Sequence, residues 1–199
     1  MRVTGVIQAG GKSTRMGGRP KALLDLSGRR IIERVMMALE PAVDDLLVVT
    51  NTPELYAFLG QAMVPDIYPD HGSLGGIYSG LTVASGDAAL TVACDMPFLH
   101  PEIVRLLVDR AGTGDVVIPR IAGQYETLHA VYGKACLAPM QERLSQGRLK
   151  ITDFFGAVRV AVIEEAELTL YGDPAVVFMN VNTPEELERA RALAARGGG

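Results

Sequence analysis

Two hydrophobic rhythms alternate along the chain. Mostly apolar runs at residues 3–9, 45–50, 88–93 and 115–119 have the length and composition of buried strands. Between them, apolar residues recur every three or four positions. Ile31, Ile32, Val35, Met36 and Leu39 form such a stripe and predict a helix over 31–39, stopped by Pro41. Thr52-Pro53 marks another helix start, with Thr52 as cap and the helix running to about residue 59. Helices are also predicted over 74–84, despite Gly75, Gly76 and Gly80, and over 101–110, where Pro101 stands at the start. A short strand falls at 62–65.

Beyond residue 120 the rhythm loosens. Residues 121–124 read as a turn, 127–132 as a strand, 136–144 as a helix and 150–155 as a short one. Residues 159–163 alternate like a strand, 176–179 form a last short strand, and 180–186 open a terminal helix reaching about residue 195. Strands alternating with helices predict an α/β fold: a mostly parallel sheet covered on both faces. The looser stretch is expected to add an edge strand or hairpin and a second wall to a binding site. No internal repeat interrupts the pattern, and 199 residues suit one domain.

Composition narrows the function. With 48% apolar and 21% charged residues the chain is globular rather than disordered. A net charge of −4 argues against broad nucleic-acid binding and suits a small anionic ligand held at one basic point. Two cysteines, Cys94 and Cys136, without a C-x-x-C pair, argue against a disulfide framework or a cysteine zinc site. Cys94, in an apolar stretch, reads as a small buried hydrophobe. There is no signal-peptide layout and no run of the roughly 20 apolar residues a membrane span needs, so no membrane association and a cytoplasmic location are expected.

That basic point follows the first strand. Residues 8–21 read Gln-Ala-Gly-Gly-Lys-Ser-Thr-Arg-Met-Gly-Gly-Arg-Pro-Lys. Gly10 and Gly11 permit a sharp turn and close approach to a ligand. Successive loop N–H groups make an anion-binding concavity, and Lys12, Arg15, Arg19 and Lys21 add positive charge. The loop lies where open α/β sheets bind ligands, at the carboxyl end of a strand. It is not a P-loop, because the first glycine of that motif would fall on Val6 and Gly5 is one place early. The dinucleotide fingerprint is absent as well.

A polyphosphate here implies Mg²⁺, which takes one or two carboxylates and leaves its other positions to water and phosphate oxygens. Asp95, just past the strand at 88–93, is the candidate ligand. Asp66 and Asp70 flank a glycine-containing segment, with Gly72, Gly75 and Gly76 positioned for close approach of a flat ligand, and a carboxylate there suits a guanine amino edge. Asn51 ends the second strand and suits either a base or ribose contact or a helix cap. His129 reads as a satisfied structural histidine. His71 and His100 have no zinc spacing with each other or with His129.

Several segments, in order, resemble the nucleotidyltransferases related to molybdenum cofactor guanylyltransferase. They are Gln8-Ala9-Gly10-Gly11-x3-Arg15-Met16-Gly17-x3-Lys21, Asn51, Asp66 with Gly72-Ser73-Leu74-Gly75-Gly76, Cys94-Asp95-Met96-Pro97, residues 127–132, and Asn180-Val181-Asn182-Thr183-Pro184-Glu185. The resemblance spans nearly the whole chain and implies a Rossmann-like fold of the nucleotide-diphospho-sugar transferase kind. It implies one nucleotidyltransferase domain over 1–199, with a nucleotide-binding half at 1–119 and an acceptor-binding half at 120–195. The implied reaction moves GMP from GTP to the phosphate of molybdopterin or its molybdenum-loaded form, with Mg²⁺ and loss of pyrophosphate.

By the same resemblance Gln8, Ala9, Gly10 and Gly11 contact the nucleotide, with Gly75 near it. Lys21 serves the triphosphate, Asn51 and Asp66 the guanosine, Asp95 the metal, and Asn180 and Asn182 the acceptor; on charge alone, Arg15 is expected to act beside Lys21 on the phosphate oxygens. A molybdenum cofactor carrier and receiving proteins are the implied partners. Gln8 stands where the family often has Leu, Pro20 where it often has Asp before the lysine, and Ser73 where Pro is common. Cytidylyl transfer, another small phosphorylated acceptor, or a non-catalytic nucleotide-binding module remain the alternatives.

Overall fold

A computed structural model of the chain describes residues 1–10 and 20–196. The expectations for Gly11, Lys12, Arg15 and Arg19 lie outside the described residues.

Among the described residues the apolar runs pair into one eight-stranded sheet. Its strands are β1 (Val3–Gln8), β4 (Asp45–Val49), β5 (Ala62–Val64), β6 (Ala88–Ala93), β7 (Val116–Ile121), β8 (Gln124–Tyr125), β9 (His129–Gly133) and β10 (Val160–Glu164). The order is β10-β7-β9-β6-β1-β4-β5, with β8 paired to β7. β1 lies parallel between β4 and β6, β5 continues the parallel run beyond β4, and β10 is parallel to β7. β9 runs antiparallel between β6 and β7, and β8 forms the expected hairpin with β7. Gly123, at φ 78°, occupies the hairpin's left-handed turn beside Ala122.

Period-two alternation divides the sheet residues between two cores. Ile7, Leu90, Val92 and Val131 face α1 (Ile31–Leu39), α3 (Pro101–Asp109) and α7 (Pro184–Arg196). Val6, Val49, Ala89 and Tyr132 face α2 (Gly72–Val83) and α4 (Leu137–Ser145). Both faces are covered, as parallel strands require.

Several elements depart from the sequence expectations. Residues 53–59 form two 3₁₀ turns, Pro53–Leu55 and Ala57–Leu59, rather than one helix. Thr52 makes no side-chain cap; its own N–H is taken by Thr50 Oγ1 at 3.2 Å, and Gly60 at φ 65° ends the segment. Residues 176–179 form no strand. Asp173 caps the Ala175 N–H at 2.9 Å, Pro174 takes the first helical position, and α6 (Pro174–Val177) results. The apolar run there is buried side-chain packing, with Val177, Phe178 and Met179 all inside. The pattern also missed a small hairpin, β2 (Asp25–Leu26) with β3 (Arg29–Arg30), and the short helix α5 (Glu165–Leu168).

Among the described residues, no helix is long and apolar enough to cross a membrane.

Candidate active site

β1 is the topological switch of the sheet: the chain leaves it for β4 on one side, and β6 lies on the other. Ligands of open α/β sheets bind at the carboxyl ends around such a point. A cleft of about 670 Å³ opens there. Gln8, Ala9 and Gly10 at the end of β1 line it, with Asn51 after β4, Asp66 after β5, and Cys94 and Asp95 after β6. Backbone bonds align these ends: Ala9 N–H donates to Val49 O at 2.9 Å, and Cys94 N–H to Gln8 O at 3.1 Å.

α2 closes one wall. Gly72 and Ser73 line the cleft, placing the positive end of the helix dipole beside it. Gln8 Nε2 donates to Ser73 O at 3.2 Å. The helix lies tightly on β1 because Gly76 and Gly80 share one face. A Cβ on Gly76 would stand 2.6 Å from Gln8 Oε1, and one on Gly80 2.4 Å from Val6 Cγ1. Gly75 is buried under the preceding loop, 3.0 Å from Tyr68 O by the same measure, and is not among the cleft-lining residues. Gly76 and Gly80 therefore let α2 approach β1 closely, while Gly75 meets the loop carrying Tyr68.

Asn51 and Asp66 form a reciprocal pair. Asp66 N–H donates to Asn51 Oδ1 at 2.9 Å, and Asn51 Nδ2 donates to Asp66 Oδ2 at 3.2 Å. Asn51 is thus a partner to Asp66 and not a helix cap. The other oxygen, Asp66 Oδ1, is buried without a partner among the described residues. Burial pushes the Asp66 carboxyl up, and the Asn51 hydrogen bond pulls it partly back.

On the opposite side stand Lys21 and Asp95. Lys21 opens a 3₁₀ turn, Lys21–Leu23, and Pro20 at φ −59° leads into it. Burial raises the Asp95 carboxyl, Lys21 is the largest influence lowering it, and Glu186 raises it further. Two groups far apart in sequence therefore lie near enough for their charges to interact. Cys94 lines the cleft beside them, and burial, followed by the Asp95 charge, pushes its thiol up to about 12. It is a neutral group there and not a nucleophile.

The segment before α7 closes this side. Val181 N–H donates to Asp95 O at 2.9 Å, and Lys21 Nζ donates to Asn182 Oδ1 at 2.6 Å. Asn182 therefore meets the site through Lys21. Among the described residues, Asn180 Nδ2 donates to Phe178 O at 3.4 Å and Asn180 does not line the cleft.

His129 is buried, as a structural histidine should be, but neither ring nitrogen has a partner among the described residues. Its ring packs at 4.8 Å on Phe178, and burial lowers its pKa to about 3. Tyr56 and Leu55 also line the cleft; the sequence offered no signal for them, since their turn was read as an ordinary helix. Among the described residues no group of three or more His, Cys, Asp or Glu could hold a metal. The donor set fits a magnesium ion that shares Asp95 with water and phosphate oxygens, and does not fit an all-protein cage.

The MobA-like NTP transferase domain family matches residues 5–160. The chain is 38% identical over 194 residues to a protein of Pelotomaculum thermopropionicum named probable molybdenum cofactor guanylyltransferase, covering 98% of this chain and 94% of that one. It is 38% identical to the molybdenum cofactor guanylyltransferase of Desulfosudis oleivorans, covering 98% and 97%. The solved structure of molybdopterin-guanine dinucleotide biosynthesis protein A from Archaeoglobus fulgidus superposes with a TM-score of 0.82 at 25% identity, covering 97% of this chain and 99% of that one.

Proposed function

This chain belongs to the MobA-like NTP transferase family, and from that premise we propose that it transfers GMP from GTP to the phosphate of molybdopterin or the molybdenum cofactor, releasing pyrophosphate. The observation that carries the reading is the cleft itself. One end holds Asp66, a carboxylate that lines the cleft and is held by Asn51, suited to the N–H donors of guanine. The other holds Lys21 and Asp95, suited to a metal-bound triphosphate.

An oxygen of the acceptor phosphate attacks the α-phosphorus of GTP. The bond from that phosphorus to the bridging oxygen breaks, and pyrophosphate leaves with the electron pair. The acceptor phosphate is already ionised at neutral pH, so no side chain has to remove a proton. This agrees with a cleft whose lining, among the described residues, includes no histidine. Lys21 neutralises charge on the phosphate oxygens as the transition state forms. Asp95 would hold Mg²⁺, which would supply Lewis-acid stabilisation of the same oxygens. Asp66, held in place by Asn51, orients the base. Arg15 is proposed to add a second cation to the triphosphate, by its place in the loop sequence. Asn182 and Asn180 are proposed to bound the acceptor side.

The test uses purified protein, Mg²⁺, molybdopterin and GTP labelled at the α-phosphate. The reading predicts label on the acceptor. Label that stays entirely on GTP or appears as free GMP contradicts it.

A further inference from the structure

The Lys21–Asn182 hydrogen bond joins two parts of the chain that the resemblance assigns to different substrates. Lys21 follows the glycine loop, on the nucleotide side, whereas Asn182 precedes α7 on the acceptor side. The strap carrying Asn182 is itself fixed at three points. Val181 N–H is held by Asp95 O, and Asn182 N–H donates to Glu186 Oε2 at 2.6 Å. Glu186 also accepts from Thr183 N–H at 3.0 Å, while Glu186 N–H donates to Thr183 Oγ1 at 3.2 Å. That reciprocal capping box anchors the start of α7. The Asn182 amide oxygen is therefore a rigid acceptor facing a long, flexible ammonium side chain.

Resting on the nucleotidyltransferase reading, we propose that Asn182 is a positioning residue for Lys21, holding its ammonium group where the nucleotide's triphosphate binds. A lysine ammonium has three donors. Among the described residues one is taken by Asn182, which leaves two for phosphate oxygens. Holding the side chain in the empty protein removes part of the ordering cost of binding. Asn182 thus serves the nucleotide, through Lys21, before any acceptor arrives.

The test is a double-mutant cycle read by calorimetric binding of inorganic tripolyphosphate with Mg²⁺, on the wild-type chain, N182A, K21A and the double variant. The probe has neither base nor acceptor, so a failure of the GTP or molybdopterin assignment leaves this measurement unaffected. N182A keeps the backbone N–H that Glu186 uses, so the cap of α7 survives. N182A is expected to weaken tripolyphosphate binding roughly two- to tenfold, the cost of one newly immobilised side chain. In the K21A background the same substitution is expected to change nothing. Should N182A fail to fold, Asn182→Ser, too short to reach Lys21, replaces it in the cycle. Unchanged affinity in N182A would leave Asn182 as an acceptor contact only and overturn the inference. Tighter binding would mean that Asn182 sequesters Lys21, which overturns it equally. An equal loss in both backgrounds would remove Lys21 from the explanation, and wild-type protein without tripolyphosphate affinity would sink it outright.

Discussion

Asp66→Ala separates base recognition from everything else in the cleft. Asp66 Oδ2 is occupied by Asn51, whereas buried Oδ1 has no partner among the described residues. One hydrogen bond to a charged acceptor contributes about 1.5–3 kcal/mol. Asp66 is only half-buried, so solvent screening favours the lower end. The expected loss in kcat/KM for GTP is therefore on the order of tenfold, reaching about a hundredfold if two guanine N–H groups share the carboxylate. The value for CTP, whose base presents no matching pair of donors, should change little. The fold should not suffer. Asp66 N–H keeps its bond to Asn51 Oδ1, which does not depend on the side chain. Burial raises the carboxyl, so the charged form is disfavoured in the fold, and removing it should leave the thermal midpoint equal or higher at neutral pH. The assay is pyrophosphate release with GTP and CTP in parallel, alongside thermal unfolding. An unchanged GTP-to-CTP ratio in a folded D66A protein would refute the assignment of Asp66 to the base.

Asp95→Asn should abolish pyrophosphate release while raising the thermal midpoint at neutral pH. Burial lifts the Asp95 carboxyl in spite of Lys21, so wild type gains stability relative to D95N as acid protonates it, and the gap should close on lowering pH; a gap that widens contradicts this. Gly80→Ala drives a methyl to 2.4 Å from Val6 Cγ1 in the core, costing about 1–3 kcal/mol of overpacking against a helix-propensity gain of about 1 kcal/mol. Gly76→Ala meets only the movable end of Gln8, so it should unfold later than G80A yet bind nucleotide more weakly; the reverse order of thermal midpoints would speak against tight packing of α2 on β1. His129→Leu removes two unpartnered buried nitrogens and should stabilise the fold by about 1–2 kcal/mol. Because burial holds His129 neutral down to about pH 3, the unfolded chain binds the extra proton below 6.5, and wild type should lose stability from pH 6.5 downward while H129L loses less. Parallel pH curves for the two would place the acid sensitivity elsewhere.

Most of the sheet was legible because long apolar runs and striped helices leave few alternatives. Residues 31–39 formed the predicted helix, and 88–93 the predicted strand. Elements failed where composition was apolar but length was short. Residues 176–179 could pair in a sheet or simply be buried, and the Asp173-Pro174 start decided for a helical turn. Residues 25–30 lack periodicity altogether, so their hairpin left no hydrophobic trace. The polar ends of strands were readable as a set, since Gln8, Asn51, Asp66 and Asp95 each follow a recognisable run and all reach one cleft. What could not be read was which side chains meet. Local sequence carries no sign that Asn182 touches Lys21, that Asn51 holds Asp66, or that Gly75 is buried beneath Tyr68. Those contacts arise from the crossing of distant elements.

The central claim is guanylyl transfer at the cleft beside β1. Its most direct test is pyrophosphate release by the purified wild-type chain with Mg²⁺ and molybdopterin, supplied with GTP or with CTP at equal concentration. Release with GTP and little with CTP is the predicted result. Release with CTP alone would contradict the assignment of Asp66 and Asn51 to guanine, and release with neither would contradict transfer to this acceptor.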